Sequence, residues 1–521
     1  MILPSGIKGL SQAMKKLSIF LSFVALLTWS SGCEKGFDEL NVNPTAATTL
    51  NPIFTFNNAI VNSAFTNDIL VFELGIVQQM YSPNSGVLAG ANFNVDNKFR
   101  NAGLWQRYNR DVLRYVVDVL DKTKAEPTRS NLYNMARIWR AHTAMVLTDT
   151  YGDVPYKEAG LGFLGGSITP KYDTQQSIYE DILKELPEAA AALDATKTRE
   201  AGDILYGGDI AKWKKLANSL LLRAGMRLSK VNPALAQSTV QKAVAGGVFQ
   251  TNADNAVVRH TSNFQNSVSG LLNGSEANNY YLTGNFVDYL KATEDPRLAS
   301  IAARYVGAKS GSEQTAAKIN RDPAVQIGMP LGFDNGTVIA QAAKDKLASF
   351  YDYSQLDRTR MGKLDAPNFL VTHAQTQLLL AEAALRGWTT GSPADFYNAG
   401  VTAHLHQLAE HDPGSAVPAA AITTYLAKNP YVAAKGLELI NTQYWVASFL
   451  NGPETFANFR RSGFPTLKPN PYPGKEIKGD FMRRLTYPDS ELSVNRANLT
   501  EAITRQGSPD TPDVRVWWDK L

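Results

Sequence analysis

Apolar residues recur at helical spacing along most of the chain from about Thr55 onward. Three stripes show this best: Leu132, Met135, Ala136 and Trp139; Trp213, Leu216, Ala217 and Leu220; and Leu437, Ile440, Tyr444 and Ala447. Such a period places the apolar side chains on one face of a helix. Alternation of apolar and polar residues, which indicates half-buried strands, is scarce. The pattern predicts a mostly α-helical fold with at most a few short strands.

The predicted helices fall into adjacent pairs. The pairs are 103–121 with 130–149, 174–193 with 209–229, 368–386 with 394–410, and 417–427 with 434–450. Alanine-rich faces, as at Ala374, Ala381 and Ala384, allow two helices to approach closely. The arrangement resembles tetratricopeptide-like antiparallel pairs, although no strict repeat length is visible and the pairs are interrupted.

Long irregular segments rich in Gly, Asn and aromatic residues separate the predicted helices. They are 81–101, 246–284, 305–350 and 463–481. Loops of this length inside a compact chain are usually functional. We therefore expect residues 53–521 to form a single helical domain, one face of which is built from loops.

The start of the chain has the pattern of a bacterial lipoprotein signal. Lys15 and Lys16 precede an apolar run that is too short for a permanent membrane span, and small residues lead to Cys33, the only cysteine. We interpret 1–32 as a signal peptide that starts at Met1 or Met14, Cys33 as the acylated residue, and 33–52 as a tether. The alternative is an ordinary secretory signal with an incidental cysteine. In either case a disulfide within the chain is excluded.

The charge of the mature chain is close to balanced. Lys8, Lys15 and Lys16 precede Cys33 and no acidic residue does, so 52 basic against 48 acidic residues become 49 against 48 after cleavage. Nucleic-acid binders usually carry a concentrated basic surface, and we expect no nucleic-acid partner. Hydropathy after Cys33 predicts no second membrane span, so the lipid would be the whole membrane attachment.

Motifs for catalysis or cofactor binding are weak. Gly160 to Gly165 matches the dinucleotide fingerprint, but no buried strand precedes it and Pro170 soon interrupts, so no cofactor is predicted. Asp149 and Asp153 flank a Tyr-Gly turn and are expected to brace it, with a structural calcium ion as the lesser alternative. No catalytic residue is predicted.

Three histidines share one predicted helix. They are His404, His406 and His411. His404 and His411 lie on the same face but two turns apart, which is too far to hold one metal ion without other ligands. We expect solvated helix histidines and no metal site.

Aromatic and amide residues cluster in the long loops and are the candidate ligand contacts. The candidates are Tyr81, Asn84, Asn92, Phe93, Asn279, Tyr280, Tyr281, Phe350, Tyr351 and Tyr353. An aromatic ring can cover the apolar face of a sugar while amides pair with its hydroxyls. The same groups suit peptides, and the alternative is that the rings pack beneath the loops.

Several stretches, in order along the chain, resemble the SusD/RagB family of surface lipoproteins, in particular its SusD-like branch. They are Asp149 to Ala159, Tyr172 to Gln175, Trp213 with Ala217 to Arg223 and Met226-Arg227, Gln443 to Trp445, Arg460 to Pro465, and Arg484 to Glu491 with Asn495; a weaker one is Ala381 to Ala384 with Arg386 to Trp388. His373-Ala374-Gln375 departs from the family, which usually has an aromatic residue or serine and an acid there. We expect these motifs to be scaffold, with Arg460 and Arg461 pinning the C-terminal helices by hydrogen bonds.

The resemblance implies a specific architecture, location and role for the protein. Such proteins combine tetratricopeptide-like helices with a variable loop-built ligand face. They are anchored in the outer membrane and face the cell exterior. They capture oligosaccharides, or peptides on the RagB side of the family, and pass them to a TonB-dependent transporter without chemistry. The competing hypotheses are peptide capture, a surface glycosidase or lyase, and a purely structural helical adaptor.

Overall fold

Helices supply most of the secondary structure in the computed structural model, which describes residues 50–64, 74–84, 90–274 and 276–521. The predicted signal peptide, Cys33 and most of the predicted tether lie outside the described residues. Residues Pro52–Leu521 form one compact unit.

Long α-helices alternate with short ones of one or two turns. In chain order they are α1 (Pro52–Asn62), α2 (Lys98–Gln106), α3 (Arg114–Thr123), α4 (Ser130–Tyr151), α5 (Gln175–Ala192), α6 (Ile210–Arg227), α7 (Pro233–Gly246), α8 (Ser267–Leu272), α9 (Gly284–Ala292), α10 (Arg297–Ile301), α11 (Val338–Lys344), α12 (His373–Leu385), α13 (Pro393–Gln407), α14 (Ala419–Lys428), α15 (Gly436–Ala447), α16 (Gly452–Ser462), α17 (Asp489–Val494) and α18 (Arg496–Gln506). A π-helical segment, Arg107–Leu113, joins α2 to α3.

The strands are short and antiparallel. They are β1 (Met80–Tyr81), β2 (Val154–Pro155), β3 (Tyr172–Asp173), β4 (Ala256–Val258), β5 (Tyr281–Leu282), β6 (Ala302–Tyr305), β7 (Ile319–Asn320), β8 (Gln355–Leu356) and β9 (Asn368–Val371). β1 pairs with β5, β2 with β3 and β4 with β9, while β6 lies between β7 and β8. The predicted mostly α fold with a few short strands is confirmed.

Local capping determines where several helices begin. The Thr174 hydroxyl accepts from the Ser177 N–H at the start of α5, and Asp209 accepts from two N–H groups of α6. Thr372 and Gln375 form a reciprocal capping box at the start of α12. Each cap stabilises its helix by about 1 kcal/mol, because it satisfies N–H groups that lack a partner within the helix.

The apolar stripes read from the sequence lie in the core. Those centred on α4 and α6 are fully buried, and so are Ile440 and Tyr444 of α15, whereas Leu437 is exposed. The principal core runs through all the long helices, from Ile53 at one end of the chain to Trp518 at the other. Periodicity therefore identified the buried faces correctly, apart from one position near a helix start.

Three of the four predicted helix pairs are present. α3 packs on α4, α5 on α6, and α12 on α13. The third pair starts later than predicted: Asn368–Val371 forms β9, which pairs with β4, and the helix begins only at His373.

The fourth predicted pair is wrong in its partners. α15 packs mainly against α12 and α16, while α14 lies against α13. α14 buries only Ile422 and Tyr425, so one neighbour is enough to cover it. The second half of α15 is buried all round and needs partners on several sides. α15 reaches α14 through a hydrogen bond from Gln443 Nε2 to the Tyr425 hydroxyl (2.9 Å).

A buried ionic network joins α4, α6 and α16. Arg227 lies between two carboxylates, with 3.1 Å from its Nε to Asp149 Oδ2 and 2.6 Å from its Nη2 to Glu454 Oε2. The Asp149 carboxylate also accepts from the Tyr179 hydroxyl and the Trp518 indole N–H. All of these side chains are buried. The helices are therefore held in register by groups that become costly if one partner is removed.

Arg460 and Arg461 pin the C-terminal helices, as the sequence predicted. Arg460 donates to the backbone carbonyls of Asp149 (2.6 Å) and Arg483 (2.7 Å). Arg461 makes a bidentate pair with Glu382 at 2.8 and 2.7 Å, and both side chains are 1 % exposed. These two arginines hold the helices of the scaffold together, and their side chains are buried.

Candidate functional site

The three aromatic loop clusters of the sequence converge at one place. β1 and β5 pair so that Tyr81 lies opposite Tyr281. The Phe350 ring meets the Tyr281 ring edge-on, with centroids 6.4 Å apart. We call the buried cluster formed here the loop core; its members are Tyr81, Phe93, Tyr281, Met329, Val338, Ala342, Leu347 and Tyr353. Segments far apart in sequence thus build one face of the molecule.

Four candidate residues at the edge of the loop core are half-buried, and we call them the rim. They are Asn84, Asn279, Phe350 and Tyr351. The Phe350 and Tyr351 rings lie 4.1 Å apart at 30°. Asn84 Nδ2 lies 3.4 Å from Asn279 Oδ1, and Asn279 Nδ2 in turn donates to Glu276. The rim therefore combines aromatic surface with ordered amides, as binding of a sugar or a peptide requires.

The other six candidates are at most 3 % exposed. They are Tyr81, Asn92, Phe93, Tyr280, Tyr281 and Tyr353. Phe93 packs on Tyr472 at 4.3 Å, and the Tyr281 hydroxyl donates to the Asn278 carbonyl at 2.7 Å. Burial raises the pKa of Tyr81, Tyr281 and Tyr353 well above the usual range, so these phenols stay neutral. In this structure the six side chains pack beneath the loops, and among the ten candidates only the four rim residues have exposed surface; direct ligand contact stays a prediction.

The Tyr81 hydroxyl connects β1 to the segment before α11. It donates to the Phe333 carbonyl at 2.5 Å and accepts from the Phe333 N–H at 3.1 Å. Tyr81→Phe should therefore lower the free energy of unfolding by about 1–2 kcal/mol, because two part-buried hydrogen bonds are lost while the ring remains. Chemical unfolding monitored by circular dichroism measures this. Tyr133→Phe, at a half-buried position of α4, is the control with no expected change, and equal stability of the two variants would contradict the contact.

The remaining motif residues of the sequence are engaged in structural contacts. Asp153 Oδ1 accepts from the Gln175 N–H, and its Oδ2 pairs with Arg505 at 3.0 Å. Asp153 thus ties the turn to α5 and α18, as a bracing role predicts, whereas the Asp149 carboxylate bonds to Arg227, Tyr179 and Trp518 outside the turn. Within the described residues, no group of three or more His, Cys, Asp or Glu side chains could hold a metal ion.

The prediction of solvated histidines is wrong for His404 and His411, which are 3 % and 4 % exposed. Burial lowers the pKa of His404 well below the usual value, and that of His411 to about 4. His404 Nδ1 lies 3.2 Å from Arg297 Nη1, and the His411 ring packs against Phe369. His404 on α13 thus lies against Arg297 of α10, and His411, four residues beyond the end of α13, lies against Phe369 of β9. Both are neutral core residues; His406 is exposed, as expected.

Carboxylates near the loop core also have structural partners. Asp345 accepts from the Tyr353 hydroxyl, and Asp352 pairs with Arg304 at 3.0 Å. Two further aromatic residues beside the loop core, Phe333 and Tyr472, were not singled out from the sequence. Both lie in the long irregular segments, so their aromatic character there was the available signal.

Packed pairs of α-helices that carry a loop-built face with rings and amides at its edge define a helical scaffold of this class. A family model described as "Starch-binding associating with outer membrane" matches residues 43–488. The chain belongs to this family, the SusD-like proteins, as the sequence motifs predicted. None of the curated proteins matches it.

Solved structures agree with this assignment. A chitin-binding protein is 32 % identical over 90 % of this chain and 100 % of its own, with a TM-score of 0.80. A SusD-like protein described as Bacteroidetes AC2a is 27 % identical over 91 % of this chain and 100 % of its own, with a TM-score of 0.78. A chitin-binding SusD homologue from Flavobacterium johnsoniae is 24 % identical over 90 % and 95 %, with a TM-score of 0.70, and shares the fold.

Proposed function

We propose that this protein captures oligosaccharides at the rim, with chitin-type sugars as the first ligand class. The observation that carries the proposal is the end-to-end similarity to a chitin-binding protein at 32 % identity. The family description supports carbohydrate binding in general. The paired Phe350 and Tyr351 rings and the ordered amides of Asn84 and Asn279 supply the matching chemistry.

N-acetylated sugars suit this combination of groups. Rings cover the apolar faces of pyranose units, and side-chain amides can both donate to and accept from hydroxyl and acetamido groups. The carboxylates of Glu276, Asp345 and Asp352 accept hydrogen bonds from protein side chains. This supports binding without catalysis, because a glycosidase needs two carboxyl groups free to face the scissile bond.

We further propose that the protein is anchored through Cys33 on the outer face of the outer membrane and delivers its ligand to a TonB-dependent transporter. The association of the family with the outer membrane and the lipoprotein-like leader support this. Within the described residues, none of the helices has the length and apolar character needed to cross a membrane. Purification of the transporter with the tagged lipoprotein would test the partnership, and its absence from the purified complex would contradict it.

Calorimetric titration tests the ligand class. The protein from Glu34 onward, which retains the whole compact unit, is titrated separately with chito-oligosaccharides, malto-oligosaccharides and a defined peptide mixture. Saturable heat with chito-oligosaccharides is the expected result. Heat with malto-oligosaccharides alone would assign starch-type sugars, and not chitin-type sugars, as the ligand. Heat with peptides alone would overturn the proposal and indicate peptide capture.

Tyr351→Ala should weaken sugar binding by about 1–3 kcal/mol, or roughly 5- to 150-fold, if its ring stacks on the ligand. The melting temperature should change little, because Tyr351 is half-buried at the edge of the loop core. Titration of both proteins with the same sugar measures the effect. Tyr115→Ala, at a half-buried position of α3, is the matched control. Unchanged affinity of Tyr351→Ala would remove Tyr351 from the site.

A further inference from the structure

An open cleft lies at the start of α5, beside the end of α18 and the segment 515–521. Its volume is about 720 Å³, and the side chains that line it include Gln176, Arg505, Arg515, Trp517 and Asp519. None of the lining residues belongs to the rim or to the loop core. We call it the Trp517 cleft.

Trp517 sets this cleft apart from the rest of the scaffold. Among the tryptophans of the described residues, it alone is partly exposed; the others are buried at 8 % exposure or less. The Trp517 ring packs 6.2 Å from the buried ring of Tyr179, and the same residue lines the cleft. An ordered aromatic ring with one part in the core and one part in an open cleft is a stacking platform for a ligand.

Most charged side chains that line the cleft around Trp517 form ion pairs. Arg505 pairs with Asp153 at 3.0 Å, and Arg515 Nη1 pairs with Asp519 Oδ1 at 2.7 Å. The cleft therefore offers fixed hydrogen-bonding groups but little net charge, with Lys520 as the remaining cation among its lining residues. Exposed amide groups are present as well, as at Gln176. Such a set suits a neutral polyol, whose hydroxyls both donate and accept, better than an anion.

We propose that the Trp517 cleft is a second carbohydrate-binding site, which takes a neutral oligosaccharide on the Trp517 ring. This inference rests on the proposed function at the rim and adds a separate contact to it. Two sites on one molecule would hold a long polysaccharide more firmly than either alone, because the second contact forms at high effective concentration.

The decisive experiment combines calorimetry with tryptophan quenching, using the protein from Glu34 onward and short chito-oligosaccharides. We expect two sugars bound per chain, and protection of one exposed tryptophan from acrylamide when the sugar is present. In Trp517→Ala, the binding at the second site should weaken at least about tenfold and the protection should disappear. Tyr351→Ala should leave the protection of Trp517 intact.

A second variant tests the same site in case Trp517→Ala does not fold. Gln176→Arg places a longer side chain at an exposed position of the cleft wall, and should reduce the second binding event without lowering the melting temperature. Gln241→Arg, at an exposed position of α7, is the matched control. One sugar per chain, unaffected by Trp517→Ala and Gln176→Arg, would overturn the second site and leave the proposed function standing. No binding of any sugar would overturn both.

Discussion

Replacing Arg227 with methionine should lower the free energy of unfolding by about 3–5 kcal/mol. The methionine fills much of the space but leaves the buried Asp149 carboxylate without a cation, while Glu454 keeps only Arg223, at 3.3 Å. An unpaired buried carboxylate costs far more than the net benefit of the pair, because water cannot replace the lost partner. Urea unfolding at neutral pH, followed by circular dichroism, measures the difference between variant and wild type.

The matched control is Arg259→Met. Arg259 also pairs with one carboxylate, Glu410, at 2.8 Å, but its side chain is 66 % exposed. Exposed pairs contribute about 1 kcal/mol or less, because both ions are already solvated and screened. Similar losses of unfolding free energy in the two variants would contradict this prediction. They would mean that the Asp149 carboxylate finds a new partner after the substitution, for example a water molecule.

The helical part of the fold was predictable because its signal is local. Leu132, Met135 and Trp139 recur with the period of the helix, and the buried face of α4 follows from that spacing alone. The same argument identified α6 and the paired arrangement of α12 and α13. The partners of α15 were not predictable in this way, since its pattern shows how much of the helix is buried but not which neighbours cover it.

The convergence of the loop aromatics required the three-dimensional structure. Tyr81 and Tyr281 are distant in sequence and meet only through the two-residue pairing of β1 with β5. An aromatic residue in a long loop carries the same sequence signal whether it faces ligand or supports the loop. Tyr351 and Tyr353 illustrate this, since they are two residues apart and only Tyr351 retains exposed surface.

The burial of His404 on α13 and of His411 just after it was not predictable from the sequence for a related reason. His404 and His411 lie in a segment with polar neighbours, which indicated solvent exposure. His404 is buried beside Arg297 and His411 beside Phe369, and burial keeps both rings neutral. Tertiary neighbours, rather than local composition, decided the environment of these side chains.

Glu382→Gln should remove a specific part of the pH dependence of stability. Burial of Glu382 opposes its ionisation, but the charge and hydrogen bonds of Arg461, with the charge of Arg386 and a hydrogen bond from Asn441, outweigh this and lower its pKa from 4.5 to about 2. An acid whose pKa is lower in the folded state stabilises the fold above its unfolded pKa. That contribution disappears as the pH falls through the folded pKa. The ionised Glu382 should therefore contribute roughly 3 kcal/mol above pH 5, which is lost progressively towards pH 2.

Urea unfolding of wild type and Glu382→Gln at several pH values between 7 and 2 measures this contribution as a difference. The difference should be largest near neutral pH and shrink steadily below pH 5, because protonated Glu382 and glutamine are both uncharged. Other titrating groups, such as Glu454, are common to both proteins and cancel. Glu188→Gln is the control, since Glu188 pairs with Arg137 at 3.0 Å but is 49 % exposed, and its difference should stay small at every pH. A difference for Glu382→Gln that did not change with pH would mean that the carboxylate is stabilised by shape and hydrogen bonding, and not by its charge against Arg461.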